Sequence, residues 1–185
     1  MTSFWFTQFS GFEDTETHAL QMALTQARDM CTRCTNSLVY HPNGLPRRTV
    51  SLLNDAFDIR RDERDKIRNI QSKFLSFGTR MTKTTLTKTT ENSSSSNELG
   101  HKAFVVSNNV REIFIVSPSF FRQPPRVRAL TLIHEYIHLL FPTDGHPGEQ
   151  QVLFERSRLG IPYDDASRNA YCYEYFADWL TSGQK

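Results

Sequence analysis

The sequence is poor in the features that would tie it to nucleic acid or to a membrane. It has 22 basic and 20 acidic residues, and its formal net charge of only +2 gives no reason to expect an anionic partner. No apolar run approaches the ~18 residues of a transmembrane helix, and the aromatic first residues show no secretory signal pattern. We therefore expect a protein made in the cytosol that binds neither nucleic acid nor a membrane.

Cysteine is also scarce, because three cysteines in 185 residues are too few for a disulfide framework. Cys31 and Cys34 form a CxxC pair, but no second pair exists to complete a four-thiolate zinc site. The helical spacing around them differs from the strand–helix–strand setting of a thioredoxin-like motif. We interpret this pair as structural or incidental, and Cys172 as a core residue.

The apolar content, 38% of the residues including 14 Phe, is sufficient for one folded domain, which we place over residues 1–185. Thr and Ser dominate residues 79–100, and we interpret this segment as a flexible loop within the domain. Two β-rich runs at residues 103–106 and 113–116 flank an Asn pair and predict a hairpin.

Helical spacing of apolar residues dominates the rest of the chain. It predicts helices over about 19–36, 54–77, 126–141 and 167–180, the third of them bounded by Pro125 and Pro142. A few strands among many helices indicate the α+β class, mostly helical with a small β-sheet.

The segment His134-Glu135-Tyr136-Ile137-His138 carries the chemistry. Residues four apart lie on one face of a helix, so both imidazoles can face one point, and neutral imidazole is a preferred zinc ligand. Glu135 could take the proton of a zinc-activated water that attacks a peptide carbonyl, then hand it to the departing amine. The flanking apolar residues predict a buried helix, where unpaired polar groups are costly without such a role.

A catalytic zinc normally takes three protein ligands, so one more is needed. Asp144 is our first choice, because a turn after Pro142 can bring its carboxylate back to the metal. Glu174 on the last helix and His146 two residues beyond Asp144 are the alternatives.

Three stretches resemble the aspzincin family, the deuterolysin and peptidyl-lysine metallo-endopeptidase group. They are residues 113–121, 131–138 and 169–177, within a catalytic core of about 103–180. Many families share the HExxH pattern, whereas the third stretch, Asn-Ala-Tyr-Cys-Tyr-Glu-Tyr-Phe-Ala, selects this one.

The resemblance implies a zincin-like fold and one zinc ion held by two His and one Asp, with the Glu as general base. It also implies a Gly-Thr-x-Asp-x-x-Tyr-Gly loop that supplies the Asp and a Tyr stabilising the transition state. Residues 142–149 contain no Tyr, which leaves Tyr136, Tyr163 and Tyr173 as candidates. In lysine-specific members, acidic residues on the downstream helix receive the substrate lysine; Glu174 matches one and is assigned to substrate binding.

The resemblance therefore predicts a zinc-dependent endopeptidase acting on proteins or peptides, with one Zn²⁺ per chain. Its bacterial members include toxin and effector domains, which is compatible with export by a specialised secretion route. Because the loop is altered, the alternative is a catalytically impaired zincin-fold protein kept for partner binding.

Overall fold

The computed structural model describes residues 7–42, 44–90, 102–106, 111–142, 146–147 and 161–182. Within them the chain forms six helices and four strands. The helices are α1 (Asp14–Ser37), α2 (Arg47–Phe57), α3 (Arg64–Met81), α4 (Pro125–Leu140), α5 (Tyr163–Ala166) and α6 (Ala170–Thr181). The strands are β1 (Gln8–Ser10), β2 (Thr85–Thr90), β3 (Ala103–Phe104) and β4 (Glu112–Ser117). The predicted α+β class, mostly helical with a small sheet, is confirmed.

The four strands form one mixed sheet in the order β1-β2-β4-β3. β1, β2 and β4 are parallel, whereas β3 runs antiparallel to β4 at the edge of the sheet. Ala103 lies opposite Ile115 and Phe104 opposite Phe114, whose rings stack with centroids 5.1 Å apart. The antiparallel pairing predicted for these two runs is confirmed.

The prediction of a flexible loop over residues 79–100 is wrong for its first half. α3 continues to Met81, and β2 pairs with both β1 and β4 in the middle of the sheet. The β-branched Thr residues suit a strand, and Leu86 among them is fully buried. The Thr-rich composition thus belongs to a paired strand, and residues 91–100 lie outside the described residues.

The single helix predicted over about residues 54–77 is also wrong, because the structure has two. α2 ends at Phe57, and Asp58 adopts a left-handed conformation with φ of 51°. The N–H of Asp58 donates to the carbonyl of Asn54, where α2 ends. The next helix, α3, begins at Arg64. Asp tolerates this conformation better than most residues, but the charged sequence around it gives no Gly or Pro to indicate the break.

α4 is the central helix, and it packs against α1, α3 and α6. Pro125 occupies its first turn, where a missing N–H costs nothing. Most of its apolar residues are buried, as predicted for this helix. The charged pair Arg126–Asp178, with 2.7 Å between Nε and Oδ1, joins its start to the end of α6. The two helices are therefore antiparallel neighbours.

α6 packs on the core through four aromatic side chains, two of its own and one each from α2 and α3. Phe57 and Phe74 each contact both Tyr173 and Phe176, with ring centroids 5.0–5.8 Å apart. Aromatic contacts of this kind add to the hydrophobic effect and define the orientation of the helix. The cluster fixes the underside of α6 and leaves its other face toward α4.

The three cysteines are buried within the helices, and the core position predicted for Cys172 is confirmed. Cys31 and Cys34 are at most 2% exposed, and Cys172 is fully buried. Burial raises the pKa of all three thiols, that of Cys172 to about 12, so they are protonated at neutral pH. None of the described helices is both long and apolar enough to cross a bilayer.

Candidate metal centre

The candidate site lies on the face of α4 that turns toward α6. His134 and His138 are one helical turn apart, and their ring centroids are 4.9 Å apart. His134 is only 8% exposed, so protein atoms rather than water surround its imidazole. The helical spacing and the buried setting predicted from the sequence are both present.

A third imidazole, from His146, joins this pair. Its Nε2 lies 3.0 Å from Nε2 of His134 and 3.2 Å from Nε2 of His138, which are themselves 3.2 Å apart. Three nitrogens of the same type thus converge on one point. Among the described residues, these histidines are the group of His, Cys, Asp or Glu side chains that could hold a metal ion.

The spacing of these nitrogens fits zinc. Two nitrogens about 2.0–2.1 Å from a tetrahedral ion stand about 3.3 Å from each other, close to the distances in the structure. Each Nε2 of a neutral imidazole has either one proton to donate or one lone pair to accept a hydrogen bond. Three such nitrogens at these distances therefore cannot all form hydrogen bonds with one another. A cation at the centre would accept all three lone pairs, so the donor set suits Zn²⁺.

Glu135 lies beside the first histidine and is only 5% exposed. Its Oε2 has no hydrogen-bond partner among the described residues. Burial raises the pKa of this carboxyl group to about 7; the nearby His134 opposes the shift and Glu174 adds to it. A buried carboxyl oxygen without a partner is costly in a structural site, so it marks a position for a ligand or a reacting group.

Glu174, on α6, contacts the His134 ring at Nδ1, the nitrogen that does not face the other two histidines. Nδ1–H of His134 donates to Oε2 of Glu174 at 3.1 Å, which leaves Nε2 to face the other two histidines. Burial would lower the pKa of His134, but the hydrogen bond to Glu174 and the charges of Glu135 and Glu174 raise it above its usual value. This carboxylate–imidazole contact is the usual support for a metal-bound histidine.

Asp144 and three tyrosines are the other residues singled out from the sequence. Asp144, the first choice for third ligand, lies outside the described residues, so its assignment stays a prediction. Asp178, one turn after Glu174, is paired with Arg126. The hydroxyl of Tyr136 contacts Ser76 and the Lys73 carbonyl, that of Tyr173 donates to the Ser167 carbonyl, and that of Tyr163 accepts from Asn69.

Two residues at the start of α6 contact the site and were missed as site residues. The Tyr171 ring stacks on His146, with centroids 4.4 Å apart, and meets His134 at 4.7 Å. Asn169 donates a hydrogen bond to the carbonyl of Pro147, the residue after His146. Both residues lie in the stretch 169–177 that resembles a helix of the aspzincin family. That resemblance does not indicate which residues of the helix contact the histidines.

A comparison with solved structures identifies the fold. The zinc peptidase from Grifola frondosa matches with a TM-score of 0.65 over 90% of this chain and 96% of that chain, at 17% sequence identity. The chain has the fold of a zinc peptidase. At this identity the likeness concerns the fold, and it confirms the resemblance to the aspzincin fold that the sequence predicted. No family model matches the sequence, and no curated protein matches it significantly.

Proposed function

We propose that this protein is a zinc-dependent endopeptidase, with His134, His138 and His146 as the ligands of one zinc ion. The observation that supports this most directly is the convergence of three Nε2 atoms beside a buried carboxyl group that lacks a partner. The zinc peptidase fold supports the same class of reaction. Asp144 is the alternative third ligand.

Held by His134, His138 and His146, a zinc ion would act as a Lewis acid toward water and a peptide carbonyl. Glu135 would be the general base, since its carboxyl group lies close to His134, whose charge favours its ionised form, and a bound metal cation would favour that form further. It takes a proton from the attacking water and returns it to the nitrogen of the leaving amine. Glu174 holds the His134 ring in the tautomer that presents Nε2.

The substrate is a protein or peptide in an extended conformation. β3 lies at the edge of the sheet and contacts α4, so a peptide paired along this edge would pass close to the metal centre. Residues 103–116 would then form one wall of the cleft. Pairing along a strand edge uses main-chain hydrogen bonds, so the substrate need not be charged. This agrees with the balanced charge of the chain.

The test compares the native protein with Glu135→Gln. Glutamine keeps the size of the side chain but cannot take a proton, so we expect hydrolysis of casein to fall about 10²–10⁴-fold. Zinc content, measured on the same samples by atomic emission, should stay at one ion per chain in both proteins.

The same experiment distinguishes the endopeptidase from the alternative, a protein that uses the fold for partner binding. If the native protein binds one zinc ion but cleaves neither casein nor a peptide library, the chain is a binding protein with a peptidase fold. Equal cleavage by the native protein and Glu135→Gln would refute the assignment of Glu135 as the base.

A further inference from the structure

We propose that the first turn of α6 positions the third zinc ligand, with Asn169 and Tyr171 as positioning residues that hold His146 against His134 and His138. This inference rests on the proposed zinc site. It assigns to α6 a role beyond the contact of Glu174 with His134, because it concerns the segment that carries His146.

His146 needs such support because it does not lie on a helix. His134 and His138 are fixed relative to each other by α4, whereas His146 lies in a bend beyond the end of that helix. Ordering a loop residue costs conformational entropy that a helical residue has already lost. A ligand that is held in place before the metal arrives binds it more tightly.

Asn169 makes two different hydrogen bonds with one fully buried side chain. Its Oδ1 accepts from the N–H of Tyr171 at 2.9 Å, which caps the start of α6. Its Nδ2 donates to the carbonyl of Pro147 at 2.9 Å, directly beside His146. The side chain therefore ties the beginning of the helix to the segment that carries the ligand.

Tyr171 acts on the imidazole itself. Its ring is nearly parallel to that of His146, with an interplanar angle of 22°, and meets the His134 ring edge-on at 66°. It therefore contacts two of the three candidate ligands. This stacking fixes the tilt of the His146 ring and thus the direction of its Nε2. Asn169 would set the position of the segment and Tyr171 the orientation of the ring.

The experiment separates the two bonds of Asn169. Asn169→Asp keeps an oxygen that can cap α6, but its ionised carboxylate cannot donate to the Pro147 carbonyl. Asn169→Ser, which also caps helices but has a shorter side chain, is the second variant in case a buried carboxylate disturbs folding. We expect both to weaken zinc binding, measured by competition with a chelator, by about 10–100-fold.

A structural role would not produce the same pattern. Zinc affinity should fall by more than any loss of stability in the metal-free variants accounts for, and the visible spectrum of bound Co²⁺ should change because the third ligand shifts. If zinc affinity falls only in proportion to the stability of the metal-free protein, in both variants, Asn169 is a helix cap and the proposal is wrong.

Tyr171 is tested by a matched pair. Tyr171→Phe keeps the ring and should bind zinc like the native protein, whereas Tyr171→Leu loses the stacking and should bind about tenfold more weakly. Equal losses in both variants would assign the effect to the hydroxyl and refute the stacking role. If the native protein binds no zinc, the proposed function itself fails; native affinity in Asn169→Asp, Asn169→Ser and Tyr171→Leu refutes only this inference.

Discussion

Glu16, near the sheet, and Glu135, on α4, both place a carboxyl group in a shielded part of the fold, but their surroundings are opposite. Glu16 accepts hydrogen bonds from Lys88 at 2.8 Å, Ser117 at 2.9 Å and the N–H of Glu13 at 3.1 Å. Glu135 has an oxygen with no partner among the described residues. The first cluster is complete as the chain folds, whereas the second leaves a buried oxygen that no described residue pairs.

The pKa values of the two groups follow from these surroundings. Burial tends to raise the pKa of Glu16, but the hydrogen bonds from Lys88, Glu13 and Ser117 outweigh it and hold the pKa below its usual value. For Glu135 burial prevails, and the pKa rises to about 7. A polar cluster that serves stability satisfies its groups, and one that serves a reaction leaves them available.

The largest effect should come from removing a ligand of the functional cluster. A structural zinc ion binds with ~10–16 kcal/mol, and a loss of about a quarter of this, ~2.5–4 kcal/mol, means that His138→Ala should weaken zinc binding about 10²–10³-fold. His146→Ala should weaken it less, because it leaves the pair that α4 holds in place. Chelator competition on both variants measures the difference.

Asp144→Asn is the control for the third ligand. We expect this variant to bind zinc like the native protein, since His146 supplies the nitrogen that completes the cluster. A large loss of affinity in Asp144→Asn, together with none in His146→Ala, would assign the third position to Asp144 instead.

An intermediate effect should follow from changing Glu174. Glu174→Gln weakens the hydrogen bond to Nδ1 of His134, and we expect zinc affinity to fall about 10–100-fold. Asp178→Asn is the matched control, because it lies one turn further along α6 and pairs with Arg126 instead. It should lower the melting temperature slightly and leave zinc affinity unchanged; similar losses of affinity in both variants would contradict the role of Glu174.

The smallest effect concerns the structural cluster. Because the pKa of Glu16 is lower in the folded protein than its usual value of 4.5, its ionised form stabilises the fold at neutral pH. Glu16→Gln should therefore reduce the free energy of unfolding by about 1–2 kcal/mol at pH 7. The difference from the native protein should shrink as the pH falls below about 4.5 and through the lowered pKa.

Urea denaturation of the metal-free proteins at several pH values measures this effect without interference from zinc loss. Zinc affinity of Glu16→Gln at pH 7 should equal that of the native protein. A stability difference that persists unchanged at pH 2–3 would show that the charge of Glu16 does not contribute.

The part of the site that local spacing determines could be predicted from the sequence. His134, Glu135 and His138 lie within five residues on one helix, so their relative positions follow from helical geometry. The antiparallel pairing of residues 103–104 with 114–115 was predictable for a similar reason, because both strands showed their pattern within a short segment.

The remaining features depend on tertiary contacts that the local sequence does not specify. The Thr-rich strand β2 is stabilised by two neighbours, β1 and β4, that are distant in the sequence. The choice between Asp144 and His146 depends on the path of a loop after α4. The contacts of Tyr171 and Asn169 with that loop arise from the docking of α6 on the aromatic cluster, which no pattern within residues 169–177 reveals.

The aromatic cluster beneath α6 couples the interior of the protein to its chemistry. The same helix that packs on Phe57 and Phe74 carries Glu174 and Tyr171 on its opposite side. Heat that loosens these rings also lets the helix drift away from the imidazoles. If the three histidines hold a metal ion, we therefore expect its release and the unfolding of the hydrophobic interior to occur together.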